Sequence, residues 1–270
     1  MKFILKVFCV ILIFGLSCLK SLNAEELTKI EDNSFLIEEA YNQEKGIIQH
    51  IQTYQYYKKS KNWLSTFVQE WPIFDQKQQF SYSIPVTHID EGSSATGLGD
   101  IGLNYRYQLI DGQKLAISPR LSLILPTGDY KKGLGTDTVG YQTNLPVSIG
   151  INDHLVNHWN MGYTFTPNSR EASGAKADTN GYNAGTSLVW LISERLNFLT
   201  ELAWSSTDKV NDDGSTEKED SLFINPGLRY AVNFKSGLQI VPGLSMPIGV
   251  GPSEGEYGIL VYLSFEHPLF

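Results

Sequence analysis

The residues of this chain that could do chemistry recur at every second position inside apolar runs. Between Ile101 and Ile110, Asn104, Arg106 and Gln108 alternate with Leu103, Tyr105, Tyr107 and Leu109. The same phase carries Arg120 among Leu121, Leu123 and Leu125, and further on Gln142, Asn144, Asn160, Asn183, Glu201, Asn225, Arg229 and Gln239. Arginine forks bind carboxylate or phosphate through two parallel hydrogen bonds. Arg106, Arg120 and Arg229 facing only Glu201 make this phase mildly positive. One reading is therefore contact with an anionic or phenolic solute, and the other is pairing of these four residues with one another. Ile124, Val189, Leu199, Phe223 and Val241 share the phase. Such a mixed lining suits a narrow or partly plugged path that accepts apolar solutes better than it suits a wide aqueous pore.

Other constellations carry less. Gly97-Leu98-Gly99-Asp100-Ile101-Gly102 matches the dinucleotide fingerprint in its letters, but it precedes a strand and no helix follows to hold a pyrophosphate. We read these glycines as a loop entering a strand. His154 and His158 have a metal spacing only on a helix, and the chain there is extended, so they read as turn and rim residues. His50, His88 and His267 are scattered, and no Ser, His and acid can be grouped by spacing. The acidic stretch Asn211 to Asp220 (NDDGSTEKED) lacks the ligand spacing of a calcium loop and reads as a solvated loop. No catalytic residue, metal or cofactor is assigned.

The elements that must position these side chains are strands, because alternation at a period of two gives two chemically different faces. Asp111-Gly112 closes a turn between two arms of about ten residues, where soluble strands average roughly five to six and a tilted bilayer-spanning strand needs about nine to eleven. Twelve such strands are expected. They run approximately Ile47–Tyr57, Leu64–Trp71, Gln79–His88, Ile101–Ile110, Lys114–Leu125, Tyr141–Ile151, Leu155–Phe165, Tyr182–Ile192, Leu196–Ser205, Leu222–Val232, Leu238–Ile248 and Tyr257–Phe265. Connections alternate between tight turns and long polar loops (Ile89–Asp100, Tyr130–Gly140, Asn168–Gly181, Asp208–Ser221). Twelve long strands enclose more space than one layer of side chains fills. The apolar face therefore turns outward to lipid, and Trp63, Trp71, Tyr107, Trp159, Trp190, Trp204 and Tyr257 suit interfacial girdles. The expected fold is all-β: a transmembrane antiparallel barrel with short periplasmic turns and long extracellular loops. Pro146, Pro226 and Pro242 fall inside these strands and require bulges or bends.

The totals agree with export to a Gram-negative outer membrane. Lys2 and Lys6 precede the apolar run Val7–Leu16, and the small-residue site Asn23-Ala24 reads as the end of a signal peptide over residues 1–24. Both cysteines, Cys9 and Cys18, lie in that leader. Without it the chain has 18 basic and 29 acidic residues, a net of −11, which argues against nucleic acid as a partner. Residues 25–46 read as a loosely ordered periplasmic lead-in, with an inserted plug as the alternative, and residues 47–270 as the barrel. Expected partners are membrane lipid and lipopolysaccharide, a small-molecule solute and, through the terminal Phe270, the barrel-assembly machinery.

Several strings carry a resemblance: Ser34 to Tyr56 (SFLIEEAYNQEKGIIQHIQTYQY), Thr96-Gly97-Leu98-Gly99-Asp100-Ile101, Leu125-Pro126-Thr127-Gly128-Asp129 with Gly133-Leu134-Gly135, and the late Pro-Gly-Leu repeats at Pro226 and Pro242. The chain resembles the putative MetA-pathway of phenol degradation family, which are transporter-like outer-membrane proteins. The resemblance implies a barrel with a part in the passage of small organic molecules. The expected function is therefore passive uptake of small hydrophobic or aromatic molecules along a lumen lined by Asn104, Arg106, Arg120, Asn144, Glu201, Asn225, Arg229 and Phe223. The alternatives are an outer-membrane enzyme acting on lipid and a structural or adhesion barrel with a closed lumen.

Overall fold

Long alternating runs joined by Gly- and Asp-containing turns pair with their sequence neighbours, and here the pairing continues until the sheet meets itself. The computed structural model describes residues 33–90 and 94–268; the expected leader over residues 1–24 with its cysteines, residues 25–32 and Phe270 lie outside them. The strands are β1 (Ile47–Tyr57), β2 (Trp63–Ile73), β3 (Asp75–Ile89), β4 (Ala95–Leu98 and Ile101–Tyr107), β5 (Leu115–Ile117 and Arg120–Leu125) and β6 (Gly140–Asn144 and Val147–Asn152). There follow β7 (Leu155–Arg170), β8 (Lys176–Ser193), β9 (Leu196–Val210), β10 (Thr216–Tyr230 and Val232–Asn233), β11 (Gln239–Ser245 and Ile248–Gly249) and β12 (Gly258–Pro268). Each pairs antiparallel with the next, and β1 pairs with β12 from Ile47↔Pro268 to Tyr57↔Gly258, closing a twelve-stranded barrel.

The faces follow the alternation. Leu109, Leu121 and Leu123 are exposed on the outside at 61%, 60% and 44%, while Arg106, Gln108 and Ser122 in the opposite phase are buried. A closed sheet with this exterior is solvated by lipid. Outward aromatics gather near the turn-side ends (Tyr107, Trp159, Trp190, Tyr230) and toward the loop side (Tyr141, Tyr163, Tyr182, Tyr257).

Three features differ from the sequence reading. The expected loops Asn168–Gly181 and Asp208–Ser221 are mostly strand, with turns only at 171–175 and 211–215. Their polar residues pair across the ladder, as in Asp208↔Lys218 and Lys209↔Glu217, so backbone hydrogen bonding carries the hairpins out into water after hydrophobicity stops. The prolines are accommodated by gaps in the ladder. Pro119, Pro146 and Pro247 fall between the halves of β5, β6 and β11. Pro226 and Pro242 lie within strands, opposite interruptions of the β10–β11 ladder that leave its register unchanged. Thirdly, residues 33–43 lie against the inner face of the wall, the alternative reading of this stretch as an inserted plug. Their backbone is hydrogen-bonded to inward side chains of the wall, and Ser34, Phe35, Ile37, Glu39 and Ala40 are buried.

Beside the closing β1–β12 pair, the Glu256 carboxylate accepts from the N–H of Lys59 at 2.7 Å and of Ser60 at 2.9 Å, tying the β1–β2 turn to the β11–β12 loop. Partial burial alone would raise the Glu256 pKa, but these N–H groups outweigh it and hold the carboxyl below its usual value. A depressed pKa means that the tie is present above the ordinary carboxylate pKa and is lost as pH falls through the lowered one. Hydrogen-exchange protection of the Lys59 and Ser60 amides should fall in that acidic window, and at neutral pH in Glu256→Gln. On the lipid face, Leu121→Arg should destabilise the barrel by about 2 to 4 kcal/mol, and Leu109→Arg, near the turn rim, by about 0 to 1 kcal/mol. Reversible urea unfolding in lipid vesicles measures both.

Candidate functional site: the plugged lumen

A segment with no strand partner can enter a barrel only if its N–H and C=O groups find other partners there. The inward amides, hydroxyls and charges supply them in strand order. Gln43 N donates to Gln79 Oε1 of β3 at 2.7 Å and Asn42 N to Gln108 Oε1 beyond β4 at 2.8 Å. Arg106 of β4 donates to Asn42 Oδ1 at 2.9 Å, to the Glu39 carbonyl at 3.2 Å and to the Tyr41 carbonyl. Ala40 N donates to Ser148 Oγ of β6, and Glu38 N to Asn160 Oδ1 of β7, both at 2.8 Å. Ser34 Oγ meets Ser187 Oγ of β8 at 2.9 Å. The Glu201 carboxylate of β9 takes the N–H groups of Leu36 and Ile37 at 2.9 and 3.1 Å, and Arg229 of β10 donates to the Asn33 carbonyl at 2.8 Å.

Apolar side chains of the segment are seated by glycines. Phe35 packs edge-on to Tyr262, with centroids 5.8 Å apart, over Gly227 and Gly243. A Cβ at either glycine would come within 2.5 to 2.6 Å of the Phe35 ring, and one at Gly185 within 2.4 Å of Ile37 Cδ1. The Pro-Gly-Leu repeats thus leave the wall hollow where the segment presses on it.

Above this plug on the β2–β6 side remains a cavity of about 330 Å³, lined by polar groups such as Glu38, Glu70, Asn104, Arg106, Arg120 and Ser122, with Val68 and Ile124 between them. Arg120 is its central cation. Its Nε and Nη2 grip the two Glu38 oxygens at 3.0 and 2.7 Å, Nη1 donates to Asn104 Oδ1 and Nη2 to Gln142 Oε1, both at 3.0 Å, and Nη1 also meets Ser122 Oγ. Asp100 closes one flank. Its Oδ1 accepts from Gly128 N, and its Oδ2 from Thr136 N and Thr136 Oγ1, all at 2.9 Å, which holds loop 126–139 against β4. A Cβ on Gly128 would lie 2.2 Å from the Leu134 carbonyl oxygen, and one on Gly135 2.5 Å from Asp100 Oδ1, so the loop closes only with glycine at both positions.

The sequence-selected residues therefore divide into four groups. Asn104, Arg106 and Arg120 line the cavity; Glu201 and Arg229 hold the plug. Asn225 supports Glu201 through Nδ2 at 2.6 Å, and Asn144 donates to Asn160 at 3.4 Å. Phe223 stands apart, with its ring 5.3 Å from that of Tyr57. Arg106 and Arg120 bind the plug, so for these two arginines the alternative of pairing with Glu201 gives way to pairing with an inserted segment. Sequence reasoning missed Glu38, Glu70, Gln79 and Asp100. The alternating signal was present for Glu70, which shares the phase of Val68 in β2, but the outward phase there holds Ser65 and Gln69 and blurs it. His158 is buried with Nδ1 2.7 Å from Ser148 Oγ, whereas His154 lies in the β6–β7 turn, so the two do not converge.

Residues 43–244 match the family described as Putative MetA-pathway of phenol degradation. The chain belongs to this family. No curated protein matches it. Among solved structures, an outer membrane channel from Pseudomonas putida F1 aligns with 84% of the chain and 97% of its own length at 12% identity and a TM-score of 0.63. The NanC porin aligns with 82% of the chain and all of its own length at 11% identity and a TM-score of 0.53. The KdgM porin, solved in complex with disordered oligogalacturonate, aligns with 81% of the chain and 98% of its own length at 12% identity and a TM-score of 0.50. At these identities the likeness is one of fold: this family member is an outer-membrane-type barrel.

Loop 126–139 carries Lys131 and Lys132 at its exposed tip. Asp100→Asn, which weakens three hydrogen bonds to charge, should therefore speed tryptic cleavage after these lysines severalfold. Gly135→Ala should do the same, with the barrel's heat-modifiable gel mobility retained.

Proposed function

We propose that this family member is an outer-membrane channel for passive uptake of small organic molecules, hydrophobic and aromatic ones included. The observation that carries the reading is a cylinder with a lipid-facing exterior whose lumen narrows to a cavity of about 330 Å³ with both charged and apolar lining. That volume is near the lower end of small-ligand sites, which run from roughly 300 to 1,000 Å³. It suits a solute the size of a single ring better than the oligosaccharide with which the KdgM porin was solved. The family's description points the same way, since phenol is such a solute.

The lipid-acting enzyme is the weaker reading. Ser148 and His158 are in contact, but both are buried, and the Ser148 Oγ already accepts the Ala40 N–H of the plug. An acyl group has no approach to it.

Uptake into vesicles whose outer leaflet is lipopolysaccharide tests the channel. With the full protein, phenol and catechol should enter severalfold faster than into protein-free vesicles, while the trisaccharide raffinose enters at the protein-free rate. Removing residues 33–43 should admit raffinose as well. If neither form raises the entry of any solute, the barrel is closed and structural.

A further inference from the structure

The Arg120–Glu38 pair differs from the other contacts of the plug. Most of those join wall side chains to the backbone of the segment, which any solute would have to displace as a whole. Arg120 instead holds a side-chain carboxylate through two parallel bonds, at 3.0 and 2.7 Å. Both partners keep access to the cavity, with side-chain exposures of 14% for Arg120 and 28% for Glu38. Val68 and Ile124 offer apolar surface in the same cavity. We propose that Arg120 is a carboxylate-binding site whose resident ligand is Glu38, and that small aromatic monocarboxylates bind there by exchanging with it. This deepens the channel reading and rests on it: Arg120 selects the anionic members of the solute class, and their binding releases one anchor of the plug.

The other charges around the cavity are committed elsewhere. Arg106 points at the carbonyls of Glu39 and Tyr41 and at Asn42. Asp100 is filled by Gly128 and Thr136, and Glu70 accepts from Gln79 Nε2 at 2.7 Å. An incoming carboxylate replaces Glu38 like for like, because the guanidinium fork matches any carboxylate. Asn104, Ser122 and Gln142 hold the fork in place during the exchange. Three carboxylates beside two guanidiniums would otherwise favour an amine, so a cationic probe is the discriminating control.

The test is equilibrium dialysis of benzoate, benzyl alcohol and benzylamine against the full protein in detergent, with phenol uptake into vesicles measured in parallel. Glu38→Gln removes the competing charge and should tighten benzoate binding about tenfold, while leaving benzyl alcohol unchanged. Arg120→Gln should reduce benzoate retention to the level of benzyl alcohol. Equal benzoate binding by wild type and Glu38→Gln overturns the proposal, as does a preference for benzylamine that Glu38→Gln abolishes. If Arg120→Gln does not fold, the Glu38→Gln comparison decides alone. Phenol entry without benzoate binding removes the carboxylate site and leaves the channel; benzoate binding without phenol entry removes the channel and leaves the site.

Discussion

Burial of an unpaired backbone governs this lumen. A cylinder of twelve strands is too wide for a single layer of its own side chains to fill, and water or another piece of chain must occupy the remainder. Here residues 33–43 do so, bringing N–H and C=O groups that have no ladder to join. Each such group left unmet would cost about 1 to 3 kcal/mol. The inward phase of the wall is polar largely for this reason. Gln79, Gln108, Ser148, Asn160 and Glu201 each accept a backbone N–H from the segment, and Arg106 and Arg229 donate to its carbonyls. The polar part of this mixed lining is in good part a receptor for the chain's own residues 33–43.

That division explains what the sequence made legible. Strand identity and face depend on local alternation, which gives Ile47–Tyr57 its observed limits and puts Leu121 and Arg106 on opposite faces. Strand ends depend on where pairing stops. The hairpins around 171–175 and 211–215 keep their ladders through polar sequence, and no hydrophobic signal marks their true length. The fate of residues 33–46 was less legible still. Their acidity suggests a solvated lead-in, and only wall residues from β3 through β12, spread over some 180 positions of sequence, bring Glu38 and the Phe35-Leu36-Ile37 patch into contact with the barrel. Within the strands Glu201 is one acid among three arginines, and Glu38, the partner that Arg120 takes, comes from outside them.

The glycine-rich strings have a related meaning. Gly97-Leu98-Gly99-Asp100 and Thr127-Gly128-Asp129 with Gly133-Leu134-Gly135 come together where Asp100 receives Gly128 and Thr136, with backbones too close for a Cβ. Gly227 and Gly243 of the Pro-Gly-Leu repeats make the hollow that takes Phe35. The strings that carry the family likeness are thus those that seat a loop and a plug. Such features are compatible with many solutes, since they shape the wall and the loop. Selectivity has to come from the side chains left facing the open cavity, and among the described residues that line it Arg120 alone is ion-paired to a carboxylate next to apolar surface. Two members of the family could therefore share every glycine and the whole plug yet differ in what they admit, through the residues at positions 38, 68, 120 and 124.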